Sequence, residues 1–134
     1  MQASNKKERI KVLFVDDDVE FLKSAKQCLK LQGAFDVESA SSADEVLEKM
    51  KKKPDVIVCD INMPDINGIE FLKALRESGN NTPFIVFTVT RDKETALKAF
   101  NAGANGFVGK SGDPAVVFST LKRCIEEPLT TNSK

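Results

Sequence analysis

Five short apolar runs punctuate the chain, at residues 11–15, 36–40, 55–59, 84–88 and 106–108. Between them, apolar residues recur at every third or fourth position. The runs are rich in Val, Ile and Phe, and the first, third and fourth are nearly uninterrupted. Strands covered on both faces require that pattern, because neither alternating set of side chains meets water. The intervening stretches read as helices. The first, 19–32, spaces Leu22, Ala25 and Leu29 along one face and stops at Gly33. The second, 43–52, opens on Ser42 and Glu45, whose side chains can each satisfy the other's free backbone N–H in a capping box. The third, 69–77, carries Phe71, Leu72 and Leu75. The fourth, 93–102, follows Asp92 as a cap and precedes Gly103. The fifth, 114–126, begins with Asp113 and then Pro114, at a position where a missing N–H costs nothing. Val117, Leu121 and either Cys124 or Ile125 face inward.

Strict alternation of strand and helix predicts a parallel sheet with right-handed crossovers. The expected fold class is α/β, a doubly wound five-stranded parallel sheet of order 2-1-3-4-5, a flavodoxin-like (βα)5 arrangement. One domain over residues 9–127 accounts for the pattern, with 1–8 and 128–134 polar and expected to be flexible termini.

Composition narrows the function. At 134 residues and 41% apolar, the chain can bury a core without disulfides or a structural metal. Twenty basic against twenty acidic residues leave no net charge to draw it to nucleic acid or anionic lipid, so neither is expected as a partner. Cys28, Cys59 and Cys124 are odd in number and widely spaced, which suits a reducing compartment and matches no zinc site. No leader or membrane span is evident, and a cytoplasmic location is expected. There is no histidine, so any phosphohistidine chemistry must come from a partner.

In a doubly wound sheet, ligands bind beyond the carboxyl ends of the strands, where the strand order reverses. Asp16, Asp17 and Asp18 follow the first run, and Asp60, Asn62 and the turn Met63-Pro64-Asp65 follow the third. Thr88 ends the fourth, and Lys110 follows the fifth. If strands one and three are neighbours, their acids meet in one pocket, where mutual repulsion calls for a cation. Oxygen ligands completed by water suit Mg²⁺, which neutralises and orients phosphoryl groups. Lys110 and the Thr88 hydroxyl can bind further phosphoryl oxygens. A carboxylate nucleophile, a metal, a cation and a hydroxyl suffice for phosphoryl transfer onto a side chain.

The segments Val15-Asp16-Asp17-Asp18, Cys59-Asp60-Ile61-Asn62-Met63-Pro64 with Gly68, Phe87-Thr88 and Phe107-Val108-Gly109-Lys110 resemble the response-regulator receiver family of two-component signalling. The resemblance spans about residues 9–126, with the motifs in family order and spacing. It implies that Asp16 and Asp17 hold Mg²⁺, that Asp60 is the phosphoacceptor, and that the main-chain carbonyl of Asn62 is a further metal ligand. It also makes Lys110 the phosphate-binding lysine, and Thr88 and Phe107 the switch pair. The implied partners are a sensor histidine kinase or phosphotransfer protein, or a small donor such as acetyl phosphate. The downstream effector is unknown, and the chain is expected to be a monomer or weak homodimer. Output would pass through the surface of helix 4, strand 5 and helix 5. Such a domain is a phosphoacceptor that assists its own phosphorylation and dephosphorylation, not a conventional turnover enzyme. Asn62 and Thr90 are the positions that set the dephosphorylation rate in that family. Three positions depart from the pattern. Val89 stands where a small residue is preferred, Phe107 lacks the hydroxyl of the more usual Tyr, and Ser111 replaces a proline, so a trans loop is expected there.

Bland readings exist for each residue alone. Asp18 is the N-cap of helix 1, Cys59 is a buried strand residue, and Asn67-Gly68 is a turn whose glycine is needed for its backbone. Two rival functions follow. A phosphatase of the haloacid-dehalogenase type would use Asp16 and Asp18, but Glu20 stands where its motif wants Thr or Val, and no late acidic pair follows. A pseudo-receiver, an interaction module with little or no phosphorylation, draws on the three departures. Pro64 excludes an EF-hand, which needs an oxygen ligand there.

Overall fold

The computed structural model describes residues 9–90 and 92–132, the side chains of 128–132 excepted. In chain order the elements are β1 (Ile10–Val15), α1 (Val19–Gln32), β2 (Phe35–Ala40), α2 (Ala43–Met50) and β3 (Val56–Cys59). There follow α3 (Gly68–Glu77), β4 (Phe84–Thr88), α4 (Lys93–Ala102), β5 (Gly106–Gly109) and α5 (Pro114–Asn132). All strand pairs are parallel, in the order β2-β1-β3-β4-β5. This is the fold class that the sequence predicts.

Alternate residues of the central strands feed two separate cores. Val12, Phe14, Val56, Val58, Ile85, Phe87 and Val108 face α1 and α5, meeting Leu22, Ala25, Leu29, Val117, Leu121 and Ile125. Leu13, Val15, Ile57, Cys59, Phe84 and Val86 face the opposite layer, where Val46, Leu72 and Ala99 come from α2, α3 and α4. Both faces of the sheet are therefore dry, which explains the uninterrupted apolar runs. On α5 it is Ile125 that is fully buried, and Cys124 only partly.

Several boundaries and caps differ from expectation. Helix α2 ends at Met50, two residues early. The N–H groups of Lys51, Lys52 and Lys53 bond three residues back rather than four, and Lys53 turns the chain with φ 53° just before Pro54. The expected capping box is shifted by one. Ser42 Oγ accepts from Glu45 N at 3.3 Å, but Glu45 Oε1 accepts from the N–H of Ser41, not of Ser42, at 2.6 Å. Helix α5 runs past Glu126 to Asn132, through Pro128, whose fixed φ is itself helical. The stretch expected to be flexible from 128 is thus helical that far, while residues 1–8 and 133–134 lie outside the described residues.

Candidate functional site

The strand order reverses between β1 and β3, and the ladder there extends past the strands themselves. Asp16 N–H donates to Ala40 O at 3.1 Å, and Asp60 N–H to Val15 O at 3.0 Å. These bonds set Asp16 and Asp60 side by side, although 44 positions separate them in the sequence. One carboxylate oxygen from each of Asp16, Asp17 and Asp60 lies within 4.8 Å of the others. Asp16 is buried, Asp60 partly buried and Asp17 exposed.

Asp16 and Asp60 are each held at both oxygens. Asp16 Oδ1 accepts from Asp18 N at 3.0 Å, and its Oδ2 accepts from Lys110 Nζ at 2.5 Å. Asp60 Oδ1 accepts from Ile61 N at 2.7 Å, with Asn62 N at 3.4 Å, and its Oδ2 accepts from Lys110 Nζ at 3.0 Å. Lys110 reaches them because its own N–H is tied to Thr88 O, continuing the β4–β5 ladder. Burial lifts the Asp16 carboxyl above the usual carboxylate range, although its hydrogen bonds to Lys110 and to the Asp18 N–H pull the other way. For Lys110, burial disfavours the charge, but the hydrogen bonds to Asp16 and Asp60 outweigh it and raise its pKa. The lysine is therefore the pocket's own counter-ion, a role beyond the phosphate contact that sequence reasoning gave it.

The remaining predicted residues fall around this centre. Thr88 is fully buried, and its Oγ1 accepts from Thr90 N at 3.3 Å, which leaves its own proton to donate elsewhere. Among the described residues it makes no hydrogen bond to the acids. Asn62 is exposed in the loop after β3, and its Nδ2 donates to Thr90 Oγ1 at 3.4 Å, bridging two loops of the site. Phe107 is half-buried on β5 and lines a hollow of about 370 Å³ against α4 and α5. Val89 is 63% exposed, so its bulk points to solvent and is not packed into the site. No peptide bond among the described residues is cis. Asp18 is the N-cap of α1, accepting from Phe21 N at 3.1 Å. Burial pushes the Cys59 thiol far above its usual pKa, which suits an inert strand residue.

The Asn67-Gly68 reading needs correction. Asn67 is the N-cap of α3, its Oδ1 accepting from Ile69 N and Glu70 N. Gly68 has no positive φ; a Cβ there would sit 2.5 Å from Asp60 O and 2.9 Å from Ile61 Cα. Close approach to the acid's own backbone, not turn conformation, demands glycine. Two further residues escaped the sequence reading. Asp65 Oδ2 accepts from Ala43 N at 2.9 Å, tying the loop after β3 to the start of α2. The ring of Phe21 lies 4.7 Å from Lys110 Nζ. A helix-cap signal was present for Asn67, but nothing local marks the other two contacts.

The family model of the response regulator receiver domain matches residues 12–122. The nitrate/nitrite response regulator protein homolog of Haemophilus influenzae is 30% identical over 118 residues, covering 87% of this chain and 57% of that protein. Chemotaxis protein CheY of Thermotoga maritima is 31% identical over 114 residues, 84% of this chain and 95% of its own. The solved structure of chemotaxis response regulator CheY4 of Vibrio cholerae matches with a TM-score of 0.76 at 34% identity, over 87% of this chain and 98% of that one. Against the Haemophilus protein, and against PrrA of Mycobacterium tuberculosis at 43%, the chain spans about half the relative's length.

Proposed function

This chain belongs to the response regulator receiver family, and from that premise we propose that Asp60 accepts a phosphoryl group in a Mg²⁺-dependent reaction. The observation that carries the reading is the convergence of Asp16, Asp17 and Asp60 with Lys110 at the ends of β1, β3 and β5. The donor set fits the metal. Octahedral Mg²⁺ with bonds of about 2.1 Å places its ligand oxygens roughly 3–4 Å apart, and each of the three carboxylates brings an oxygen within 4.8 Å of the other two. Asp16, Asp17, Asp60 and the Asn62 carbonyl would hold it. When bound, the ion supplies charge neutralisation for the incoming phosphoryl oxygens.

The chain's own residues supply the rest. A carboxylate oxygen of Asp60 forms the new bond to phosphorus as the bond to the donor's leaving group breaks. Lys110, already 3.0 Å from Asp60 Oδ2, needs little movement to meet a phosphoryl oxygen. Thr88 has a free hydroxyl proton with which to approach the same group, and the hollow beside Phe107 gives that ring room to follow. The exposed Leu97, Phe100 and Val116, on α4 and α5, form the surface through which the change leaves, as a shift between two populated states. With no histidine in the chain, the donor is the phosphohistidine of a sensor kinase or phosphotransfer protein, or a small acyl phosphate.

Radiolabelled acetyl phosphate tests this. The parent should take up label with Mg²⁺ and lose that ability with a chelator, and an Asp60→Asn protein should stay unlabelled. Equal labelling of the Asn variant would end the assignment.

A further inference from the structure

Lys110 is gripped from three sides, and only two of them are carboxylates. The third is the ring of Phe21, with its centroid 4.7 Å from the ammonium nitrogen; the ring of Phe87 is more distant, at 6.0 Å. Phe21 is itself braced. Its ring meets Phe14 edge-on at 6.4 Å and Phe87 at 6.0 Å, and Phe87 in turn packs against Phe118 at 5.9 Å. Its backbone is fixed too, since the Phe21 N–H is the donor that Asp18 caps at the start of α1.

An aliphatic side chain could fill the same space. What an aromatic ring adds is the negative face of its quadrupole, which attracts a cation and does so more strongly where water is excluded. The Lys110 side chain is only 13% exposed. A ring also differs from a carboxylate in what it leaves free. It holds the ammonium without competing with an incoming phosphoryl oxygen for strong hydrogen bonds. We infer that Phe21 is a positioning residue, whose ring face holds the Lys110 ammonium over the pocket where a phosphoryl oxygen arrives. The inference rests on the phosphoacceptor reading of Asp60.

The test compares Phe21→Leu, Phe21→Tyr, a series of ring-fluorinated phenylalanines placed at position 21, and Phe118→Leu. The last loosens the same aromatic cluster without touching Lys110. The readouts are the rate of Asp60 labelling by acetyl phosphate at saturating Mg²⁺, the Mg²⁺ affinity, and the NMR shift of the Lys110 ε-methylene, which lies near the ring face. Phe21→Leu should slow labelling roughly three- to tenfold, the range expected of one cation–π contact. Fluorination, which weakens the quadrupole at nearly constant shape, should slow it in step with the number of fluorines. Tyr should restore the parental rate. Phe118→Leu should keep that rate, while Mg²⁺ affinity changes little throughout. The ring-current shift of Lys110 should shrink in Phe21→Leu to the smaller part owed to Phe87, and persist in Phe118→Leu. A parental rate in Phe21→Leu, or equal slowing in Phe118→Leu, would overturn the inference while leaving the phosphoacceptor reading intact. A parent protein that takes no label at Asp60 would sink both.

Discussion

The pocket gathers three carboxyl groups, and Lys110 faces two of them directly. Asp16 is 1% exposed, so an unpaired charge there is costly. Replacing Lys110 with Met should therefore destabilise the metal-free protein by about 3 kcal/mol, the usual scale for breaking a buried pair. Added Mg²⁺ should recover part of that loss. Urea unfolding with and without the ion measures both, and the Mg²⁺ stabilisation should be larger in the variant than in the parent. Gly68 acts at the same scale by steric means. Its neighbours are backbone atoms of Asp60 and Ile61 and cannot turn aside as a flexible side chain can. Gly68→Ala should cost about 1–3 kcal/mol and weaken Mg²⁺ binding as well, because the clash displaces Asp60 itself. Isothermal titration of the two proteins decides the second part.

At the scale of elements, Arg76 ties three segments together. Its guanidinium donates to Gly103 O, Asn80 O and Thr82 O and to Asn105 Oδ1, joining the end of α3 to the turn between α4 and β5. A lysine has neither the planar fork nor enough donors to serve those acceptors. Arg76→Lys should lose about 1 kcal/mol in urea unfolding, from the part-buried carbonyls of Asn80, Thr82 and Gly103 left short of donors. Strand β2 lies at the sheet edge, and Glu38 on it pairs with Lys49 at 2.8 Å and Lys52 at 3.6 Å. The hydrogen bond from Lys49 holds the Glu38 carboxyl below its ordinary value of 4.5. A depressed carboxyl contributes stability above its unfolded pKa and loses it as pH falls through the folded one. Glu38→Gln should thus cost under about 1 kcal/mol at neutral pH, discounted for exposure. The gap should close as the parent is taken through the acid range below 4.5, a trend that thermal unfolding across pH will follow.

Across the whole molecule, what could be read in the sequence was whatever depends on local pattern. The buried strands announced themselves because both faces are dry, and α1, β4 and α4 have the expected bounds. The acids could be placed because β1 and β3 are neighbours in this topology, so residues that follow them must meet. Long-range side-chain choices were not legible. Lys110 and Asp16 are 94 positions apart, and Asp65 and Ala43 are 22 apart; no periodicity encodes either hydrogen bond. The sequence pattern carries helix α2 two residues past its end at Met50 because Lys51 and Lys52 suit a helix well enough. Only the left-handed Lys53 shows where the chain turns.

The most direct measurement on the central claim is the intact mass of the protein after acetyl phosphate and Mg²⁺, followed by peptide mapping of any adduct. The expected result is one phosphoryl group per chain, on the peptide that contains Asp60. Modification at another residue, or none on a folded protein that binds Mg²⁺, would contradict it.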